Sequence, residues 1–184
     1  GVQTCALPIF MKAESREDHL GIFIRTAFAT ESVRRLYRSD FLHGNDLYFL
    51  EGVPMEDIFF SHLAMIVCNS LCQIPCGLYY YHKTSVGTMS SANLQQYMYI
   101  HHVLVATMDK VYDLGLWDLL RDAYGYVWFQ KIYDLYLFMC ALPEFPSEDY
   151  RVLSDFKHEV FPDLSNNPYF SDDDRKHLLS MPNM

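Results

Sequence analysis

Two adjacent carboxylates, Glu56 and Asp57, stand directly ahead of the apolar run Ile58, Phe59, Leu63, Ile66, Val67 and Leu71. Those apolar positions recur at the spacing of one helical face, which predicts a helix from about Pro54 to Ser70 with one side to bury. Pro54 suits a first helical turn, where its missing N–H is no loss. The acids therefore fall where a loop becomes a helix, in the turn whose free N–H groups favour negative charge. Two roles fit that position. The pair can simply complement the helix dipole, or it can hold a carboxylate on a rigid element for chemistry.

The rest of the composition narrows the class. The chain has 184 residues and a formal net charge of −9. That balance argues against nucleic acid or an anionic membrane surface as the main partner. Tyr126 to Leu142 is the most apolar stretch, but it carries Gln130, Lys131 and Asp134. It predicts a buried or amphipathic helix and no membrane span. Fourteen Tyr and thirteen Phe suit a packed core and sugar-stacking surfaces alike. Cys68, Cys72 and Cys76 recur every fourth residue, yet Pro75 and Gly77 interrupt any helix there and the spacing fits no ordinary zinc pair. They read as small buried hydrophobes in a reducing compartment.

The first nine residues, GVQTCALPI, read as the in-frame translation of a sequencing-library adapter and are set aside as a leader outside the fold. On that reading the chain is the back end of a longer protein. Residues 11 to 30 run from charged (Lys12, Glu14, Arg16, Glu17, Asp18) to apolar (Leu20, Ile22, Phe23, Ile24), a surface segment leading into buried structure. Val33, Leu36, Tyr37, Phe41 and Leu42 predict a short helix, His43-Gly44-Asn45-Asp46 a turn, and Leu47 to Leu50 a brief extended piece. Gln73 to Pro75 and Leu78 to Tyr81 read as short extended pieces, the second a β-prone edge.

From Ala92 the pattern turns helical. Leu94, Tyr97, Met98, His101, Val105, Met108 and Tyr112 form a stripe broken at Gly115. A second helix is expected from Leu116 to Leu142, a third from the start signal at Ser147 to before Pro162, and a short last one after Ser171. Asp172-Asp173-Asp174 reads there as a helix start, with Ser171 the cap. The expected organisation is a leader over 1–9, an α/β piece over 10–91 and a helical extension over 92–184.

Val33 to Tyr37 (VRRLY), Arg38, Phe41-Leu42, Phe49, Glu51-Gly52, Glu56-Asp57, Phe60, Leu78 to Tyr81 and Ser85, in that order and spacing, resemble the second half of the family-two glycosyltransferases. These are the GT-A fold enzymes that build bacterial surface polysaccharides. The match covers residues 32 to 90. What it implies is an α/β fold: the truncated C-terminal half of a GT-A, Rossmann-like domain followed by an all-helical tail, so that the chain as it stands is mostly α. The implied activity is inverting transfer of a sugar from a nucleotide-sugar donor to a hydroxyl of a saccharide or lipid-linked acceptor. The family's second acid of the pair is the general base, here Asp57, with Glu56 facing the acceptor or bracing the loop. Tyr81, His82, Lys83 and Ser85 would contact substrate.

Where the family often has Arg after the tyrosines, this chain has His82 beside Lys83. A cation there would neutralise the leaving diphosphate, and His82 could also ligate the divalent metal, Mg or Mn, that the family uses. The plain alternative is a surface histidine closing a strand. The family's Asp-x-Asp for metal and nucleotide is missing from its expected place, which agrees with a donor-binding half upstream of residue 10. The implied location is the cytoplasm, at most peripheral at the inner face of the membrane.

Two other functions are weighed beside it. One is a helical protein-interaction module in which the Tyr- and Met-rich helices of 92–142 carry the contact. The other is a hydrolase with paired acids, which adjacent helical positions pointing about 100° apart disfavour. Titration of the chain alone with UDP-, GDP- and TDP-sugars is expected to show no tight, metal-dependent binding. Micromolar affinity would place the donor site within these residues and end the truncation reading.

Overall fold

Three of the described helices start at side chains that satisfy the free N–H groups of a first turn. A computed structural model describes residues 9–12, 14–74 and 93–184. The described elements are β1 (Ile9–Lys12), α1 (Arg16–Thr26), α2 (Ser39–Gly44), α3 (Glu56–Val67), β2 (Ser70–Gln73), α4 (Leu94–Asp113), α5 (Trp117–Cys140), α6 (Ser147–Val160) and α7 (Asp172–Ser180), with 3-10 turns at Ser32–Arg34 and Leu164–Asn166. The chain is mostly helical and divides into two compact units, residues 1–91 and 92–184.

In the first unit β1 and β2 form an antiparallel pair, Ile9 opposite Gln73 and Lys12 opposite Ser70. The strand takes in Ile9, the last residue of the leader; a ladder is made by main-chain groups and accepts almost any side chain. Helix α1 begins with a capping box. Ser15 Oγ accepts from the Asp18 N–H at 3.1 Å, and Asp18 Oδ2 accepts from the Ser15 N–H at 3.0 Å. Ile22 and Phe23 of α1 are buried against α3.

Helix α3 departs from the one-sided burial that its apolar spacing predicts. Every residue from Ile58 to Ile66 is buried, including Ser61 and His62. Polar groups can stay inside because each finds a main-chain acceptor. Ser61 Oγ donates to the Thr30 carbonyl at 2.6 Å, and His62 Nε2 donates to the Ala27 carbonyl at 2.9 Å. The Phe23 ring meets the His62 imidazole edge-on at 5.5 Å.

The single short helix expected after Ser32 is split. A 3-10 turn over Ser32–Arg34 gives way to extended backbone at Arg35 (φ −130°), and α2 starts only at Ser39. The cause is tertiary. Arg35 donates to the carbonyls of Thr26, the last residue of α1, and of Ala29 beyond it, and Tyr37 packs edge-on against Phe60 at 5.1 Å. Those anchors outweigh a few tenths of a kcal/mol per residue of helix propensity. Of the cysteines, Cys68 is buried as expected, but Cys72 on β2 and Cys140 at the end of α5 are exposed. Cys72 lies on a four-residue strand of a two-stranded sheet, too small to cover its own faces.

In the second unit α4 starts at a capping box between Asn93 and Gln96. It ends at Gly115, whose φ of +66° lets the chain turn while its N–H donates to the Tyr112 carbonyl at 2.8 Å. Helix α6 starts at Ser147 itself, with Pro146 in the cap position and no side-chain cap. Ser171 caps α7: its Oγ accepts from the Asp174 N–H at 3.2 Å, and its own N–H donates to Asp174 Oδ2 at 2.8 Å. The three aspartates are a helix start, as read. The core is aromatic. Trp128 packs on Phe156 and Phe161 at 5.5 and 5.7 Å. At Gly125 a Cβ would come within 3.2 Å of the Phe161 ring, so its absence lets α5 approach that far. Among the described residues no helix is long and apolar enough to cross a membrane.

His101 lies inside this core, 4% exposed. Its Nδ1 accepts the Trp128 indole N–H at 3.3 Å, which leaves the ring proton on Nε2. Burial, and then the neighbouring His102, pull its pKa down from 6.5 to about 4. The unfolded chain therefore takes the proton first as pH falls, so stability present above the ordinary histidine pKa is lost through the window from 6.5 to about 4. The loss is expected to reach about 2–3 kcal/mol near the bottom of that window. Thermal unfolding at neutral pH and at about pH 4.5 checks it: His101→Gln should flatten most of the difference.

Candidate active site

The two carboxylates sit at the predicted helix start, but the turn that delivers them is unusual. Helix α3 begins at Glu56, one residue beyond Met55, so Pro54 precedes the helix instead of opening it. Met55 takes the cap position in the left-handed region, φ 65° and ψ 25°, with no side-chain cap. A non-glycine residue there costs on the order of 1–2 kcal/mol. Gly52, at φ +74°, makes the preceding turn at no such cost. Met55 still closes the first turn, its carbonyl accepting from the Ile58 N–H at 3.0 Å. Glu56 and Asp57 are the first two helical residues and take the place of a capping side chain.

Asp57 is half-buried, and its carboxyl is pushed above the usual aspartate range. Burial is the largest cause, and the adjacent Glu56 charge is next. Hydrogen bonding to the main chain at Ile58 and Asp57 pulls the other way, and Glu31 adds a further upward push. A residue that merely complemented the helix dipole would be shifted down. Desolvation and like charge outweigh the dipole here.

The ring of Phe60, one turn along α3 from Asp57, carries the nearest wall. Phe49 stacks on it at 4.2 Å between centroids with 15° between planes, and Tyr37 meets it edge-on. Two polar atoms in the adjoining VRRLY segment are buried without a hydrogen-bond partner, Arg35 Nη1 and Tyr37 Oη. Sequence reasoning did not single out Glu31, Met55 or the Tyr37–Phe49–Phe60 cluster as parts of a site. Phe49, Phe60 and the Arg-Arg-Leu-Tyr letters were the available signals; nothing in the sequence announces a left-handed methionine.

The other residues implied for substrate or metal, Tyr81, His82, Lys83 and Ser85, lie outside the described residues, as does Cys76. Among the described residues no group of three or more His, Cys, Asp or Glu side chains converges as a metal site. Compared with protein-family models, curated proteins and solved structures, the chain has no significant match.

The raised pKa of Asp57 carries a sign that distinguishes it from a dipole partner. An aspartate more easily protonated in the folded state favours folding below its unfolded pKa and loses that contribution as pH rises through the folded value. Asp57→Asn is therefore expected to raise the unfolding temperature at pH 7, with the gain shrinking as pH falls into the carboxylate range. A fall in stability at pH 7 would return Asp57 to the role of a helix-dipole partner.

Proposed function

We propose that residues 10–91 are the acceptor-side, base-bearing part of an inverting glycosyltransferase, with Asp57 as general base. The observation that carries the reading is a half-buried carboxylate on a rigid helix start whose pKa is raised despite the helix dipole. A base for sugar transfer must be ionised at working pH yet basic enough to take a hydroxyl proton as the oxygen attacks. In that step the acceptor oxygen bonds to the anomeric carbon, the bond to the nucleotide diphosphate breaks, and the proton passes to an Asp57 carboxylate oxygen. Glu56 contributes by its charge, which keeps Asp57 basic.

The donor is a nucleotide-sugar, the acceptor a saccharide or lipid-linked saccharide, and the setting the cytoplasm, at most peripheral to the membrane. A divalent Mg or Mn ion, when bound, supplies positive charge to the leaving diphosphate. In this chain His82 and Lys83 are the candidates for that side of the reaction, and Tyr81 and Ser85 for substrate contact. A helical interaction module is the less favoured alternative. Of the side chains of 92–142 that would carry it, Met98, Met108, Tyr124 and Met139 are buried core, while Tyr112 is exposed.

The test is made in a protein in which these residues are joined to a nucleotide-sugar-binding domain. Asp57→Asn keeps shape and most hydrogen bonds but cannot take the proton, so kcat is expected to fall about 10²–10⁴-fold with KM for the donor little changed. Glu56→Gln should cost less. Full turnover in Asp57→Asn would sink the base assignment.

A further inference from the structure

Phe49 is left 45% exposed in the loop ahead of the acidic pair, and Tyr48 beside it 60%. Phe49 is nevertheless fixed. One ring face lies flat on Phe60, itself 4% exposed and braced by Tyr37, while the rest of the ring faces solvent. Phe60 and Asp57 are three residues apart on α3, so they are neighbours on one helix face, about 5–6 Å apart at Cβ. The ring that carries the exposed Phe49 and the half-buried Asp57 carboxylate therefore belong to one face of α3. Among the described residues no ion pair engages Glu51, Glu56 or Asp57.

One ligand chemistry needs both features at once. A pyranose has a face of C–H groups that lies flat on an aromatic ring, and hydroxyls around its edge that donate to carboxylates. A docked protein would call for a wider apolar patch than one ring and its neighbour. A nucleotide would bring its phosphates against three carboxylates. We propose that Phe49, with the exposed Tyr48 beside it in the chain, is the stacking platform for the acceptor sugar and sets one of its hydroxyls over Asp57. This rests on the reading of Asp57 as the base, and it adds the substrate class: a pyranose with an uninterrupted C–H face. The stack makes the plate preorganised, so little side-chain freedom is lost on binding.

The chain as it stands, labelled at its Phe and Tyr rings, can be titrated with methyl β-D-glucopyranoside and methyl β-D-galactopyranoside by aromatic NMR. Saturable shifts at Phe49 and Tyr48 in the millimolar range are expected for at least one glycoside. Phe49→Ala should weaken that binding about tenfold or more, and Phe49→Trp should keep it. Asp57→Asn should change it only a few-fold, so loss of the base assignment and loss of the platform are read separately. No saturable shift with either glycoside overturns the platform. So does binding that survives Phe49→Ala unchanged, which would place the sugar on the carboxylates alone.

Discussion

Four consecutive-region carbonyls, those of Thr26, Ala27, Ala29 and Thr30, are satisfied by side chains reaching in from elsewhere in the first unit. Arg35 donates to Thr26 and Ala29, His62 to Ala27, and Ser61 to Thr30. Of these, among the described residues, only the Thr26 carbonyl also takes a main-chain donor, the Ala29 N–H at 3.0 Å, and leaving a carbonyl buried and unmade costs about 1–3 kcal/mol. Two of the donors sit on adjacent residues of α3. The loop after α1 thereby fixes both the height and the rotation of α3, and everything on that helix follows. Glu31 lands near Asp57 because Thr30 is tied to Ser61, one turn further along. Tyr37 reaches Phe60 because Arg35 holds the segment between them.

That arrangement decides the electrostatics of the acidic pair. A helix N-terminus at a surface stabilises a carboxylate by about 0.3–1 kcal/mol. Burying part of it beside two other carboxylates acts in the opposite sense, and at Asp57 the second effect is the larger. The sequence shows the dipole half of this contest directly, since an Asp in a first turn is visible in the letters. The desolvation half depends on what the 27–38 loop lays over the helix, which no local spacing reports.

Much of the helical architecture was legible for a related reason. Helices α4, α5 and α7 start close to where stripe, glycine and cap residues place them: Gly115 between the first two, and Ser171 with Asp174 at the third. These signals are local, and local hydrogen bonds carry them. The reading failed where a distant partner decides. Residues 32–44 have helical spacing but are divided by the pull of Arg35. Pro54 has the right preference for a first turn, yet the turn made by Gly52 and Met55 places the helix start beyond it. Cys72 follows Cys68 by four residues, but the helix has ended by then and the fourth residue faces out.

Several departures from ordinary folding preference fall in the first unit near the acidic pair. Between Arg35 and Phe60 the first unit carries two buried polar atoms without partners, a left-handed Met55, an aspartate disfavoured in its charged form, and a large exposed ring at Phe49. Each costs stability separately, and the contacts made at these positions, such as the Phe49–Phe60 stack, offset only part of the cost. By contrast Trp128 and His101 in the second unit satisfy each other inside a closed aromatic core. A chain under selection for stability alone would shed such costs, since caps and charge relief are easily found. Those that lie near Asp57 support the proposal that geometry and basicity at that carboxylate are worth more than the stability they cost.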